Sequence, residues 1–454
     1  MTSDNYSKKY IILSYFATVF IVLLFSSTTW VYADDKDVDP GQITFRNPIS
    51  EIQNEKIDPF TGELSLTYTD LTLPGNGGLD LSIIRTYKSN RELSYIPPLG
   101  PRWEIHMGRI KIIGNYVTIE LQDGTINTAV RVNSSNYSYC TKDFWKIDSS
   151  NGKVLQLPDG TKIEFNHTNG AWWYATRISK NGNQIAITYQ ANSQNILNIT
   201  DTLGRQINFT YNSIASRLRL TSIYCANDQT IQIQYKYSDN GGNPVVLNQV
   251  VFPGNEVWGY SYNNYRLSSV STPYGGAIAY TYDYSYRAAD GLSVRPQYSV
   301  ISKTVSGAGT WIYAYNHDNE REITTITDPC NRVTTYRFFG YYAIGYGTCY
   351  IYGLQDEMEI LNTANNTLEY KEKNTWGKIN AEISSLPYSV YSLYDNKTYV
   401  PVLLNQTITT LGGDTYTTQY SNYDNFGNPR TQTETGSATK TTTLSRISQQ
   451  PYTS

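Results

Sequence analysis

The sequence is poor in the residues on which chemistry usually depends. It has three histidines and four cysteines in 454 positions, and charged residues are only 17% of the chain. Lysine and arginine never form a run and the formal net charge is -3, so the basic face that a nucleic-acid partner requires is missing. His106, His167 and His317 lie in unrelated segments with no Cys, Asp or Glu at metal-ligand spacing, and they read as surface or turn residues. Neither Gly-x-Ser-x-Gly nor His-Glu-x-x-His nor a phosphate loop occurs. The Gly-rich run LPGNGGLDL (Leu73 to Leu81) precedes no helical pattern that could aim N–H groups at a phosphate, and reads as a loop. A chain so composed is expected to be no enzyme and to bind no metal and no cofactor.

Cysteine is equally uninformative as a framework. Cys140, Cys225, Cys330 and Cys349 are too few and too scattered for a disulfide-built domain. One pair stands out. A hairpin folded about Phe339 and Gly340 would set Cys330 opposite Cys349 as cross-strand neighbours and allow a disulfide.

Aromatic and β-branched residues are abundant. There are 42 Tyr, 12 Phe and 8 Trp, types that suit a pleated surface, and no segment beyond the N-terminus keeps a helical period. At the N-terminus, Lys8 and Lys9 precede the apolar run Ile11 to Phe25, and Val31-Tyr32-Ala33 comes before an acidic start at Asp34. This is the pattern of a secretory signal cleaved between Ala33 and Asp34. An uncleaved anchor over Tyr10 to Tyr32 is the alternative. Either way the body of the chain is expected to be secreted or held at the cell envelope, with membrane contact only through an uncleaved segment.

From about residue 43 short alternating runs are broken by Gly, Asn, Asp and Pro. VLQLPDGTKIEF (Val154 to Phe165) reads as a hairpin with positive φ at both Asp159 and Gly160, and LQDGTINTAV (Leu121 to Val130) repeats the device. Beyond residue 170 the runs resemble one another: ISKNGNQIAITY, ITDTLGRQINFTY, TPYGGAIAYTYD, ITDPCNRVTTYRF and YSNYDNFGNPRTQTETG. Each is a strand, a Gly-containing turn and a strand ending in aromatics. Asn331 stands where its siblings carry Gly, as the next-best residue at positive φ.

These units resemble the YD repeats of the Rhs family, which includes toxin-complex shell proteins. The resemblance rests on Asp201, Gly204 and Arg205; on Gly275, Gly276, Tyr280, Tyr282 and Asp283; and on Asp424, Gly427 and Asn428. DPFTGELSLTYTDLTLPGNGGLDLSIIRTYKS (Asp58 to Ser89) and LGPRWEIHMGRI (Leu99 to Ile110) resemble the segments that open the repeat region in bacterial Rhs and SpvB-like proteins. The resemblance implies an all-β chain whose hairpins build a spiralling hollow sheet, either a closed shell or an incomplete one. Between the signal over 1–33 and a Ser/Thr-rich tail over 437–454, read as disordered because it cannot bury a core, it implies an N-terminal Rhs-type module over 34–150 and a YD-repeat region over 151–436. The core motif that ends such a shell, its self-cleavage site and a following toxic domain are not found, so cargo release does not carry over.

Each candidate site competes with a plainer role. Asp201, Asp283, Asp328 and Asp424 recur at equivalent turn edges and read as side chains that fix turns, not as catalytic carboxylates. Trp172 and Trp173 are a candidate glycan contact, but neighbours in a strand face opposite sides and cannot share a platform. The expected function is a non-enzymatic scaffold, part of a shell wall that encloses or presents a toxin or protein partner supplied in trans, or that self-associates. The alternatives are a carbohydrate-binding or adhesive surface protein, recognising a cell-surface glycan, and an inactive N-terminal fragment of a split Rhs toxin.

Overall fold

Alternation in the sequence becomes alternation in burial. In NQIAITY (Asn183–Tyr189) Ile185, Ile187 and Tyr189 are buried while Gln184, Ala186 and Thr188 face solvent, as a strand with one covered face requires. A computed structural model describes residues 54–91, 93, 96–114, 116–131, 138–148, 153–238, 245–288, 294–318, 321–340, 351, 353–380, 390–392, 397–436 and 439–444. The signal segment with Ala33 and Asp34 therefore lies outside the described residues, as does Cys349. Among the described residues the chain is all-β: strands follow one another from Glu55 to Thr443, with no α-helix.

Four strands form a sheet of their own: β1 (Glu55–Ile57), β2 (Leu64–Leu73), β3 (Leu81–Lys88) and β4 (Trp103–Ile105), paired in that order. The remaining strands make one large antiparallel sheet. It begins with β5 (Arg109–Ile113), β6 (Tyr116–Glu120), β7 (Ile126–Arg131), β8 (Tyr139–Cys140), β9 (Lys146–Asp148), β10 (Lys153–Gln156), β11 (Lys162–Asn169) and β12 (Trp172–Lys180). Then β12 forks. Its first half pairs back onto β5, Trp173 with Ile110 and Tyr174 with Arg109. Its second half pairs with β13 (Asn183–Tyr189), Arg177 with Ala186 through Lys180 with Asn183. The sheet thus closes a ring of eight strands and runs on past the seam, hairpin after hairpin, to Thr439–Thr443. The pairing of β9 with β10 carries the sheet without a break across residue 150.

One five-residue turn recurs. In Asp201–Arg205 the Asp201 N–H donates to Arg205 O at 3.1 Å and the Gly204 N–H to Asp201 O at 3.0 Å. The Asp201 carboxylate accepts the N–H groups of Leu203 and Arg205 at 3.0 and 2.9 Å. Asp328 does the same for Cys330 and Arg332, and Asp424 for Phe426 and Asn428. The fourth residue is left-handed each time, at φ 75° for Gly204, 61° for Asn331 and 85° for Gly427. At Asp159-Gly160 positive φ falls on Gly160 alone, at 84°, with Leu157 bonded to Thr161. The two-residue turn expected there is replaced by this longer one, a type I turn closed by a left-handed glycine.

Two readings of the repeat need correction. Thr272, not Asp283, fixes the turn of TPYGG: its Oγ1 accepts the Gly276 N–H at 3.0 Å, and Gly275 but not Gly276 has positive φ. Asp283 lies within the strand Ala277–Ala288, exposed, and receives the Tyr284 N–H. A strand is two-sided, so Tyr280 and Tyr282 point inward while Asp283 points out. The polar segment after Gly436 is likewise not wholly disordered, since Thr439–Thr443 pairs with Thr431–Thr435. Threonine-rich strands pair through backbone and β-branched neighbours without needing a core of their own.

The strand-ending tyrosines have a structural task. Each faces a β-bulge, with register shifts before Tyr189, Tyr211, Tyr237, Tyr262 and Tyr282. A bulge leaves a carbonyl outside the ladder, and a tyrosine of the next strand supplies the missing donor. Tyr189 donates to Ala175 O, Tyr237 to Leu220 O, Tyr262 to Leu247 O, Tyr282 to Leu267 O and Tyr315 to Val300 O, at 2.5 to 2.9 Å. Each tyrosine therefore reaches back across one turn to the strand just before its own, tying a bulged strand to the strand that follows it.

Candidate functional site

The buried polar groups of the molecule gather where the four-stranded sheet meets the inward face of the large one. Arg85, on β3, is fully buried among apolar neighbours. Its Nε and Nη2 donate to the Asp70 carboxylate at 3.0 Å, and its Nη1 donates to the Tyr260 hydroxyl at 3.0 Å. The Tyr235 hydroxyl donates to Asp70 Oδ2 at 2.7 Å. The rings of Trp103, Tyr68 and Tyr260 surround the guanidinium at 4.7 to 5.3 Å. Burial works against the charge on Arg85, but Asp70 and the phenols outweigh it and hold the group protonated. This is a cation in an aromatic cage, and the cation belongs to the protein itself. Its effect is to key β2 and β3 onto strands that lie some 170 residues further along.

Neighbouring contacts extend the seam. Trp103 Nε1 donates to the Tyr262 hydroxyl at 2.8 Å, and the Leu267 N–H donates to the Tyr87 hydroxyl at 2.9 Å. The Val300 N–H donates to Gly62 O, and Thr324 Oγ1 to Pro59 O. Tyr280, the inward tyrosine of TPYGGAIAYTYD, donates to Glu55 Oε2 at 2.5 Å. Replacing Tyr262 by Phe should therefore leave both the Trp103 N–H and the Leu247 carbonyl unpaired. The expected loss is about 2–3 kcal/mol in urea denaturation, whereas the exposed Tyr274, changed likewise, should give no measurable shift.

A second cluster, around Glu104, His106 and Glu120, has the composition of a metal centre. Ligand atoms of the three lie within 4.8 Å of one another, all buried. This corrects the reading of His106 as a surface residue: it is 5% exposed, because the chain turns inward between β4 and β5. The donor set is already engaged. Arg109 reaches both carboxylates, with Nη2 2.8 Å from Glu104 Oε2 and Nε 2.7 Å from Glu120 Oε2, and Arg91 lies at 2.8 and 3.2 Å from the same two groups. Two glutamates against two arginines make a neutral set, into which a divalent cation would bring uncompensated charge. Burial pushes Glu120 upward, but His106, Arg109 and Arg91 outweigh it and hold its carboxyl far below the usual range. His106 Nδ1 accepts the Gly108 N–H, and its Nε2 stands 3.7 Å from Glu120. These residues can hold β4, β5 and β6 together; their geometry favours no ion.

The remaining sequence candidates are scattered. Arg109 lies over one face of Trp172 at 4.5 Å and Lys153 over one face of Trp173 at 3.2 Å, so each indole already carries a cation and neither is a bare stacking surface. His167 stacks on Tyr189 at 4.5 Å, and His317 is exposed. Cys330 is a free, exposed thiol. The second arm of its expected hairpin, with Cys349, lies outside the described residues; Arg332–Phe339 pairs with Arg321–Thr327 on one edge and Gln355–Asn362 on the other, and Phe339 bonds to Leu354. Phe339-Gly340 is a poor two-residue turn, so the strands are joined by a longer connection.

Asp70 and Arg85 belong to no sequence motif, but the strand period marks them. Leu64, Leu66, Tyr68 and Asp70 share one parity, as do Leu81, Ile83, Arg85 and Tyr87. A charge at the core parity of a strand must be buried and paired.

A family model described as a domain of unknown function (DUF6531) matches residues 54–126. That span contains Asp70, Arg85, Trp103, Glu104, His106, Arg109 and Glu120. No curated protein matches. Two solved structures are similar. TcdB2-TccC3-Cdc42 shares 10% identity at TM-score 0.23, over 84% of this chain and 24% of that one. TcdB2-TccC3 without its hypervariable C-terminal region shares 14% identity at TM-score 0.18, over 86% of this chain and 16% of that one. The chain spans about a quarter of the first and less of the second.

Proposed function

We propose that the chain is an exported, non-enzymatic scaffold of the Rhs/YD-repeat type, one stretch of wall in a toxin-related β-shell. The observation that carries this reading is the fork of β12. One strand edge serves both the closing strand β5 and the continuing strand β13, so the sheet curls through a full ring and then spirals onward, as a wall grows. The inward face is not left open near its start: β1 to β4 seat against it through buried, paired charges and phenols. The strongest charge clusters are spent on seating, which suits a structural role. Stability then comes from contacts between neighbouring hairpins together with this seam.

A wall of this kind acts by containing or presenting something else, so the partner is a protein supplied in trans or a second copy of the chain. Sedimentation velocity of residues 40–454 over a wide concentration range tests it. Concentration-dependent association, or a defined complex with the polypeptide encoded beside it, is expected. A strictly monomeric species that binds no such polypeptide would overturn the proposal.

A further inference from the structure

Glu55 on β1 and Lys303 on the strand Val294–Val305 meet at the seam, 1% and 2% exposed. Lys303 Nζ lies 2.7 Å from Glu55 Oε1, yet that oxygen has no hydrogen bond of acceptable direction. The amine is thus beside the carboxyl group without being aligned as a donor to it. Glu55 Oε2 accepts the Tyr280 hydroxyl at 2.5 Å. Burial first, and Glu55 second, keep the proton on the Tyr280 phenol, so it remains a donor to the carboxyl. The Trp311 ring stands 5.1 Å from Nζ. An amine, a carboxyl, an acid that polarises the carboxyl and a dry aromatic wall are the elements needed to make an amide.

We propose that Glu55 and Lys303 are a modification site at which the chain forms an intramolecular isopeptide bond. The reacting pair is the neutral amine and the carboxylic acid, reached when one proton passes from the Lys303 ammonium to the Glu55 carboxylate. Lys303 Nζ attacks Glu55 Cδ. The Tyr280 hydroxyl donates to the oxygen on which negative charge develops. The other oxygen leaves as water, carrying a proton from Nζ, and the C–O bond is exchanged for C–N. The balance is ammonium plus carboxylate giving amide plus one water, with no oxidant, metal or co-reactant. Two groups held in contact by the fold react as if at very high concentration. The product welds β1, the first described strand, to the large sheet.

Intact mass and tryptic mapping of the purified, denatured chain decide the matter. The expected result is a mass lower by one water and a branched peptide joining the segments that hold Glu55 and Lys303. Glu55→Gln should give the same branched peptide with loss of ammonia, and Tyr280→Phe should lower the fraction joined. A wild-type chain at its full mass, with both residues in separate linear peptides, overturns the proposal and leaves an ordinary buried ion pair. That outcome needs no variant to fold.

Discussion

Replacing Arg85 by methionine should cost about 3–5 kcal/mol of stability, the range found when one partner of a buried ion pair is removed. Asp70, whose side chain is fully buried, would then have only the Tyr235 hydroxyl as a partner. The Tyr260 hydroxyl would lose its partner as well. The double change Asp70→Leu with Arg85→Met removes both charges and should recover at least half of the loss, because the surrounding rings can close on apolar side chains. Urea denaturation of the three chains measures both effects. If the single change costs no more than a surface substitution, the keying of β2 and β3 onto the large sheet is not what holds the seam.

Alkali should unfold the protein sharply. Tyr189, Tyr235, Tyr260, Tyr262 and Tyr282 are held above the ordinary phenol value, chiefly by burial, and burial pushes Tyr87 up to about 12. A phenol is neutral when protonated, so below the unfolded value near 10 these groups are protonated in both states and folding is unaffected. As pH rises past 10 the unfolded chain loses protons that the folded chain retains, and stability falls. Each group contributes about 1.4 kcal/mol per pH unit, and these six together about 8 kcal/mol per unit. Against a total of roughly 5–15 kcal/mol, that places unfolding within about two units above pH 10. Phenolate absorbance should rise first for surface tyrosines and then in one step, coincident with loss of near-ultraviolet circular dichroism. A gradual rise with the fold intact would mean that the inward tyrosines are wet.

Glu120 works in the opposite direction. Its lowered pKa contributes stability that is present above the ordinary carboxylate value and is lost only as pH falls through its low folded value. The ring of strands around Arg109 should accordingly be among the last parts of the fold to yield to acid.

Local chemistry explains which features could be read from the chain alone. The turn at Asp201–Arg205 is legible because its backbone demands a left-handed fourth residue and its N–H groups need an acceptor two and four positions earlier; Gly204 and Asp201 answer both needs within five residues. The same holds for Asn331, whose positive φ follows from its type. The repeated tyrosine at the end of ITY, FTY and YTY was visible, but its partner was not. The carbonyls of Ala175 and Leu267, which the tyrosines of ITY and YTY reach, become available only because a bulge forms in another strand, and a bulge is a property of pairing. Asp283 shows the reverse failure: written next to Tyr282, it looked like part of the same motif, yet period-two geometry sends it to the opposite face.

By itself the sequence determined that this protein would be built from β-hairpins, where most of the turns fall and which face of each strand is apolar. Those outcomes depend on residues a few positions apart. Only the tertiary structure decided that β12 would serve two neighbours and close a ring. It also decided that Arg85 would find Tyr260, that His106 would lie buried beside Glu120, and that Glu55 would meet Lys303. Those contacts join segments tens to hundreds of residues apart, and no local preference of either residue encodes which distant strand the curling sheet brings against it.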